Sequence, residues 1–324
     1  MSGLARRLSS VARRSGLISR GANRSQDQRR SHAGWRSPLD DALLRRLERL
    51  AVSPRREAAG GLGGEHRSRG RAPSTDFVDY RGYLPGDDFR QIDWNVYSRL
   101  DQLYVKQTEA RERLTLHLML DCSASMDLGD PNKFDYARQL ASAVGYVSLV
   151  RYDRVQIVSS THNGVVGRPL RGKHRFAELL ASLDALNPSG KAFLEPRLAD
   201  LRPGGMLGQA VVISDMLQPE GCDRELETLA AAGLRPSVIQ VLSPQEIDPE
   251  SGGDLELEDV ETRERVEIGL SPQAVSVYRG RLEEWCRAIE RYCAGRGMPY
   301  LRLSTSEPLE RVVLVTMRQA GILN

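Results

Sequence analysis

Three short runs restrict the fold of this chain more than anything else in it. Leu118–Leu120, Ala210–Ile213 and Val238–Leu242 read as strands that are apolar on both faces. A strand with one face in water alternates polar and apolar residues. One that is apolar throughout needs cover on both sides, as in a parallel sheet between two helical layers. Helical spacing recurs between these runs. Phe134, Ala137, Leu140, Ala141, Val144 and Val147 predict a helix opening near Asp130-Pro131, and Phe176, Leu179, Leu180, Leu183 and Leu186 predict another. Leu194, Leu198 and Leu201 mark a shorter one, and Ser271-Pro272 opens a long one carrying Tyr278, Leu282, Trp285, Ile289 and Tyr292. Val155, Ile157 and Ser159 alternate as a strand, and Tyr300–Leu303 supplies the last, before a terminal helix. Leu255, Leu257, Val266 and Ile268 flank a charged turn and predict an inserted hairpin near residues 253–269. Strands alternating with helices predict a doubly wound, mostly parallel α/β sheet with helices on both faces.

The 324 residues suit one large domain or two small ones. No apolar stretch approaches the ~18 residues of a membrane helix, so no membrane span is expected. The net charge of +3 hides a cancellation: residues 1–72 hold 17 arginines against 6 acids, a net +11, and the remainder carries −8. Residues 1–36 are rich in Arg and Ser, in the manner of a transit peptide, and are expected to be a disordered tail. Arginines there would contact nucleic-acid phosphates. Trp35 is the single aromatic of the arm, so base stacking has no support and nucleic-acid binding is disfavoured. Ser37 is placed to cap, and Pro38 to open, an amphipathic helix with Leu39, Leu43, Leu44, Leu47 and Leu50 on its apolar stripe. The expected division is a tail at 1–36, a helix, Gly/Arg loop and packed segment at 37–110, and the main domain at 111–324. Cys122, Cys222, Cys286 and Cys293 form no C-x-x-C pair, which argues against a zinc or redox site and for a cytoplasmic protein.

Candidate chemistry gathers where Leu118-Met-Leu runs into Asp121-Cys-Ser123-Ala-Ser125-Met126. Ligands of open α/β sheets bind at the carboxyl ends of strands. One carboxylate and two hydroxyls on a tight loop are hard oxygen donors, suited to Mg²⁺ or another small divalent cation. Asp215, at the end of the Val211–Ser214 strand, adds a second carboxylate at the same edge. Other motifs carry less. Gly167 to Lys173 has phosphate-loop spacing, but His174 stands where a magnesium-binding hydroxyl belongs and Pro169 sits inside the loop. The chain contains no Gly-x-Ser-x-Gly elbow. The five histidines show no i, i+4 metal spacing.

Asp121-x-Ser123-x-Ser125 with Asp215 resembles the metal-ion-dependent adhesion site of von Willebrand factor A domains. Gly64-Glu-His66-Arg-Ser68-Arg-Gly70 and the segment Asp79-Tyr80-Arg81-Gly-Tyr83-Leu-Pro85-Gly86-Asp87-Asp88-Phe-Arg90-Gln-Ile-Asp93-Trp94-Asn95 resemble the signature of domain-of-unknown-function family 58. The resemblance covers roughly residues 37–320. It implies a von Willebrand A-like fold, a place in the soluble branch of the family, and an adaptor role beside a MoxR-type AAA+ ATPase. One position departs from the pattern. The second loop of the adhesion site offers a threonine, and here Gly190-Lys191-Ala192-Phe193-Leu194 places Ala192 there, with Ser189 offset by three. An incomplete ion site follows, and the Lys191 ammonium beside Asp121 is one way to replace the cation. In the signature segment Pro85-Gly86 suits a type II turn. Asp87, Asp88 and Asp93 alternate with Arg81, Arg90 and Arg99, as a buried ion-pair network or a partner surface would require. The leading expectation is a non-enzymatic interaction protein. A metal-assisted hydrolase on the Asp121 loop is the alternative, and no motif-linked His or Glu supplies its general base.

Overall fold

The computed structural model describes residues 15–18, 39–52, 75–84, 89, 92–110, 114–160, 164–189, 208–218, 222–249, 254–259, 265–269 and 272–324. The chain divides into a body, residues 1–59 with 114–324, and a small unit, residues 60–113. In chain order the elements are β1 (Ser15–Ile18), α1 (Asp41–Leu47), β2 (Thr75–Gly82), α2 (Trp94–Leu100), β3 (Tyr104–Ala110), β4 (Thr115–Leu120), α3 (Lys133–Val150), β5 (Arg154–Ser159), β6 (Val165–Arg171) and α4 (Phe176–Asp184). They continue with β7 (Gly208–Ser214), α5 (Asp223–Ala231), β8 (Leu234–Leu242), α6 (Pro244–Ile247), β9 (Asp254–Asp259), β10 (Arg265–Gly269), α7 (Pro272–Gly295) and β11 (Tyr300–Ser304). A helical run from Leu309 to Gln319, with a π turn at Val312–Thr316, ends the fold.

The body is built on one six-stranded sheet in the order β11-β8-β7-β4-β5-β6. Every pairing is parallel except β5 with β6. The chain starts in the middle of the sheet at β4, winds outward to one edge and then to the other, so the fold is doubly wound and von Willebrand A-like. Strand β4 shows why its residues read as apolar throughout. Leu116, Leu118 and Leu120 join the core that includes Leu140, Val144, Leu179 and Leu183. Met119 joins the opposite core, with Val212, Leu226 and Ile289. Gly145 allows the close packing of α3: a Cβ there would sit 2.6 Å from Leu179 Cδ2 and 3.1 Å from Leu118 Cδ1.

Two features depart from the sequence reading. Strand β6 was hidden by Gly167 and Pro169, yet it is an antiparallel edge strand, the position in a sheet that tolerates proline. The stretch with phosphate-loop spacing is therefore mostly strand. Within the arm expected to be disordered, Ser15–Ile18 is β1, paired antiparallel with β9. There β9 is the middle strand of a three-stranded sheet, with β10 antiparallel on its other side. Helix α1 groups with the body. Leu39, Leu43, Leu47 and Leu50 are buried in the main core, and the Asp40 carboxylate caps the helix by accepting from the Leu43 N–H at 2.7 Å. Ser37 lies outside the described residues. In the small unit β2 and β3 pair antiparallel, and the Asp93 carboxylate caps α2 through the N–H groups of Asn95 and Val96.

His117 lies in the middle of β4 at 4% exposure, and among the described residues neither ring nitrogen has a hydrogen-bond partner. Burial pulls its pKa down from 6.5 to about 4. Because the folded value lies below the unfolded one, the unfolded chain binds the extra proton first. Stability is then lost as pH falls from about 6.5 toward 4, by on the order of 3 kcal/mol. Denaturant melts across that window are expected to show the loss in wild type and not in His117→Leu. Equal acid sensitivity of the two proteins refutes the assignment.

Candidate functional site

The carboxyl ends of β4, β5, β7 and β8 meet at one edge of the sheet, and the sequence places Asp121 and Ser123 after β4, Ser160 after β5, Asp215 after β7, and Ser243 and Glu246 after β8. Asp121 follows β4 and is completely buried. Its N–H donates to Ile213 O at 2.9 Å, which continues the parallel ladder one residue beyond the strand. Carboxylate Oδ1 accepts from the Ser123 N–H at 2.9 Å and from Ser160 Oγ at 3.2 Å, and Oδ2 accepts from Ser214 Oγ at 2.6 Å. Among the described residues its donors are all neutral. Burial pushes the Asp121 carboxyl above the usual range and the charge of Asp215 adds to this, against the hydrogen bonds from Ser214 and Ser123. Among the described residues this buried carboxylate has no cationic partner.

Ser123 is buried, Ser125 is half-buried, and their hydroxyls are hydrogen-bonded to each other at 3.0 Å. Adjacent ligands of an octahedral Mg²⁺ at ~2.1 Å are separated by about 3.0 Å, so the two hydroxyls fit neighbouring coordination positions. The Ser189 N–H donates to Cys122 O at 2.7 Å, which brings the second loop to the first, with the Ser189 side chain exposed. Lys191 and Ala192 lie outside the described residues. Among the described residues no group of three or more His, Cys, Asp or Glu side chains could hold a metal ion. An ion at this edge would therefore rest on Ser123 and Ser125, water, and Asp121 behind them, a donor set that suits a hard cation retaining part of its hydration shell.

Asp215 is arranged differently. It lies at the predicted edge, 1% exposed, with Oδ1 accepting from the Leu217 N–H at 3.2 Å. Its Oδ2 accepts from Lys133 Nζ at 2.8 Å. The same ammonium donates to Glu246 Oε1 at 2.5 Å. Glu246 Oε2 accepts from the N–H and Oγ of Ser243, and Ser243 Oγ accepts from the Glu246 N–H, a capping box that fixes α6. Lys133 has no exposed surface. Burial pushes its ammonium down, and Asp215 and Glu246 reverse this and hold it above the ordinary lysine value. The turn after β7 is itself constrained. Met216 has a positive φ of 55°, a conformation costing a non-glycine residue roughly 1–2 kcal/mol. It is secured by the hydrogen bond of its N–H to Ser214 Oγ and by Trp285 Nε1 donating to its carbonyl.

Sequence reasoning missed Lys133, Glu246, Ser160 and Ser214. Two signals point to the first pair. Lys133 is a cation in the first turn of α3, where the helix dipole disfavours one, in a chain with only four lysines. Ser243-Pro-Gln-Glu246 has the Ser-x-x-Glu spacing of a capping box. In the signature segment Arg81 Nη1 reaches Gly82 O, the Tyr83 N–H donates to Leu103 O, and Asp93 caps a helix. Trp94 is 60% exposed and packs edge-on against Tyr97. Pro85, Gly86, Asp87, Asp88 and Arg90 lie outside the described residues, so the expected network around them does too. Lys173, the lysine of the phosphate-loop spacing, pairs with Glu48 beside Tyr146.

A doubly wound sheet with Asp-x-Ser-x-Ser at its carboxyl edge defines a von Willebrand A-like body. The chain belongs to the family described as protein of unknown function DUF58, whose match runs over residues 79–284. Uncharacterized proteins of Mycobacterium tuberculosis and Mycobacterium bovis are 28% identical over 298 residues, covering 89% of this chain and 94% of theirs. Among solved structures, the chain is similar to the conserved hypothetical protein BatB from Bacteroides thetaiotaomicron, with a TM-score of 0.39 and 14% identity over 64% of this chain and 98% of that one. An aerotolerance-related membrane protein from Bacteroides fragilis gives a TM-score of 0.42 and 17% identity, with the same coverage. Among the described residues of the present chain no helix is long and apolar enough to cross a membrane.

The buried charges carry two predictions. Lys133→Ala leaves Asp215 and Glu246 sealed without their ammonium and is expected to destabilise by about 3–5 kcal/mol. A double-mutant cycle with Glu246→Gln should recover part of that loss, and strict additivity would show that the pair is not coupled. Gly129 has φ 91°, and a Cβ there would lie 2.4 Å from Ser243 Cβ. Gly129→Ala is expected to cost at least about 2 kcal/mol, read as a lowered melting temperature, and a neutral result would contradict this packing.

Proposed function

We propose that this chain is a non-enzymatic interaction protein. Its sheet edge around Asp121, Ser123 and Ser125 docks an acidic side chain of a partner through a small divalent cation such as Mg²⁺. The observation that carries the reading is the pair of serine hydroxyls 3.0 Å apart in front of a buried carboxylate without a cationic partner among the described residues. When bound, the ion supplies positive charge to the stretch after residue 72, which carries the net −8, and Ser125 marks where the hydroxyl pair reaches the surface. Asp121 orients the loop through the Ser123 N–H, and Ser160 and Ser214 orient Asp121.

The partner we propose is a MoxR-type AAA+ ATPase of the cytoplasm, on the strength of the family resemblance carried by the Arg81–Asn95 segment. The exposed Trp94 and Tyr97 are available for contact, since aromatic anchors dominate protein interfaces. The reading is tested by co-purification of the two proteins in Mg²⁺ with and without nucleotide. Association is expected with wild type and is expected to fall at least tenfold with Asp121→Ala. No association under either nucleotide condition rejects the partner, and undiminished binding by Asp121→Ala rejects the ion-dependent edge.

A further inference from the structure

Among the described residues, three carboxylates and one ammonium are buried along this edge: Asp121, Asp215 and Glu246 with Lys133. Their formal charges sum to −2, an imbalance that one divalent cation would cancel. Asp215, the residue that the adhesion-type pattern gives to the ion, is already committed. Its Oδ2 holds Lys133 Nζ at 2.8 Å and its Oδ1 holds the Leu217 N–H. Lys133 cannot follow a departing Asp215 without leaving Glu246, and Glu246 is fixed in turn by the Ser243 capping box.

We propose that Lys133 is a resident cation that keeps Asp215 out of the coordination sphere, so that a divalent ion is held by Ser123, Ser125 and water alone and exchanges readily. The proposal rests on the ion-dependent docking read above and sets how tightly that site holds its ion. Affinity for a hard divalent cation rises with the number of anionic oxygens that reach it. Here one such oxygen pair is withheld, and the ammonium that withholds it repels an incoming cation. The arrangement favours an ion that is completed by the partner's carboxylate over one locked into the free protein. Lys133 is a positioning residue in this scheme, acting through Asp215.

The test is calorimetric titration of the full chain with Mn²⁺ and with Mg²⁺. The variant Lys133→Met/Glu246→Gln removes one positive and one negative charge, so the formal sum of the cluster stays at −2 while Asp215 is released. It is expected to bind either ion at least tenfold tighter than wild type, with the gain abolished by adding Asp215→Asn. An unchanged Kd, or a gain that survives Asp215→Asn, overturns the proposal. Asp121→Ala separates this outcome from failure of the underlying reading. If wild-type binding depends on Asp121 and the double variant binds no tighter, the proposal alone falls. If no Asp121-dependent binding occurs in either protein, both fall. If binding occurs only in the double variant and needs Asp121 and Asp215, the proposal stands and the ion-loaded resting protein is rejected. Should the double variant fail to give a cooperative melt, Lys133→Met/Asp215→Asn decides, since it also keeps the formal sum at −2. It should change the Kd less than about threefold, because Asp215 is not a ligand, and a tenfold loss overturns the proposal.

Discussion

The ammonium of Lys133, sealed between the carboxylates of Asp215 and Glu246, is the interaction on which the rest of the sheet edge depends. Dehydrating a charge costs several kcal/mol even after relaxation, and geometry has to repay it. Here the repayment joins parts of the chain 82 and 113 residues away from Lys133. It fixes the start of α3, the end of β7 and the capping box of α6 in one arrangement. Gly129 lets the preceding loop pass Ser243 closely enough for that arrangement to close. With those ends fixed, Ser214 reaches Asp121 and the Asp121 loop presents Ser123 and Ser125.

The two carboxylates at this edge are treated in opposite ways. Asp215 has a full ammonium partner, whereas Asp121 has three neutral donors among the described residues and a pKa raised by burial and by Asp215. A single lysine cannot neutralise Asp121, Asp215 and Glu246 together. In the proposed ion-dependent docking, the negative charge left among the described residues would draw an external cation, and the lysine would limit how strongly it is held. Charge at this site is set by α3 and α6, elements that carry no part of the Asp-x-Ser-x-Ser motif.

What the sequence made legible follows from how local each signal is. Strands β4, β7 and β8 were readable because both of their faces enter cores, which leaves largely apolar runs, with Gln240 the polar residue inside Val238–Leu242. Asp121, Ser123 and Ser125 were readable because three donors lie within five residues at the end of such a strand. Asp215 was placed correctly at the edge, but its partner was not foreseen, since a salt bridge between residues 133 and 215 leaves no local spacing. Lys191, the lysine expected beside Asp121, lies outside the described residues. The ammonium that the structure brings to Asp215 is that of Lys133, signalled only by its awkward position in a first helical turn. Strand β6 was obscured because edge strands accept the glycine and proline that argue against central ones.

The central claim is that a divalent ion sits on the serine hydroxyls while Lys133 stays on Asp215. Anomalous diffraction from wild-type crystals grown in Mn²⁺ measures both at once. The account predicts a manganese peak within bonding distance of Ser123 Oγ and Ser125 Oγ, with Lys133 Nζ still hydrogen-bonded to Asp215. A manganese ion bonded directly to Asp215 with Lys133 displaced, or no peak beside the serines, would contradict it.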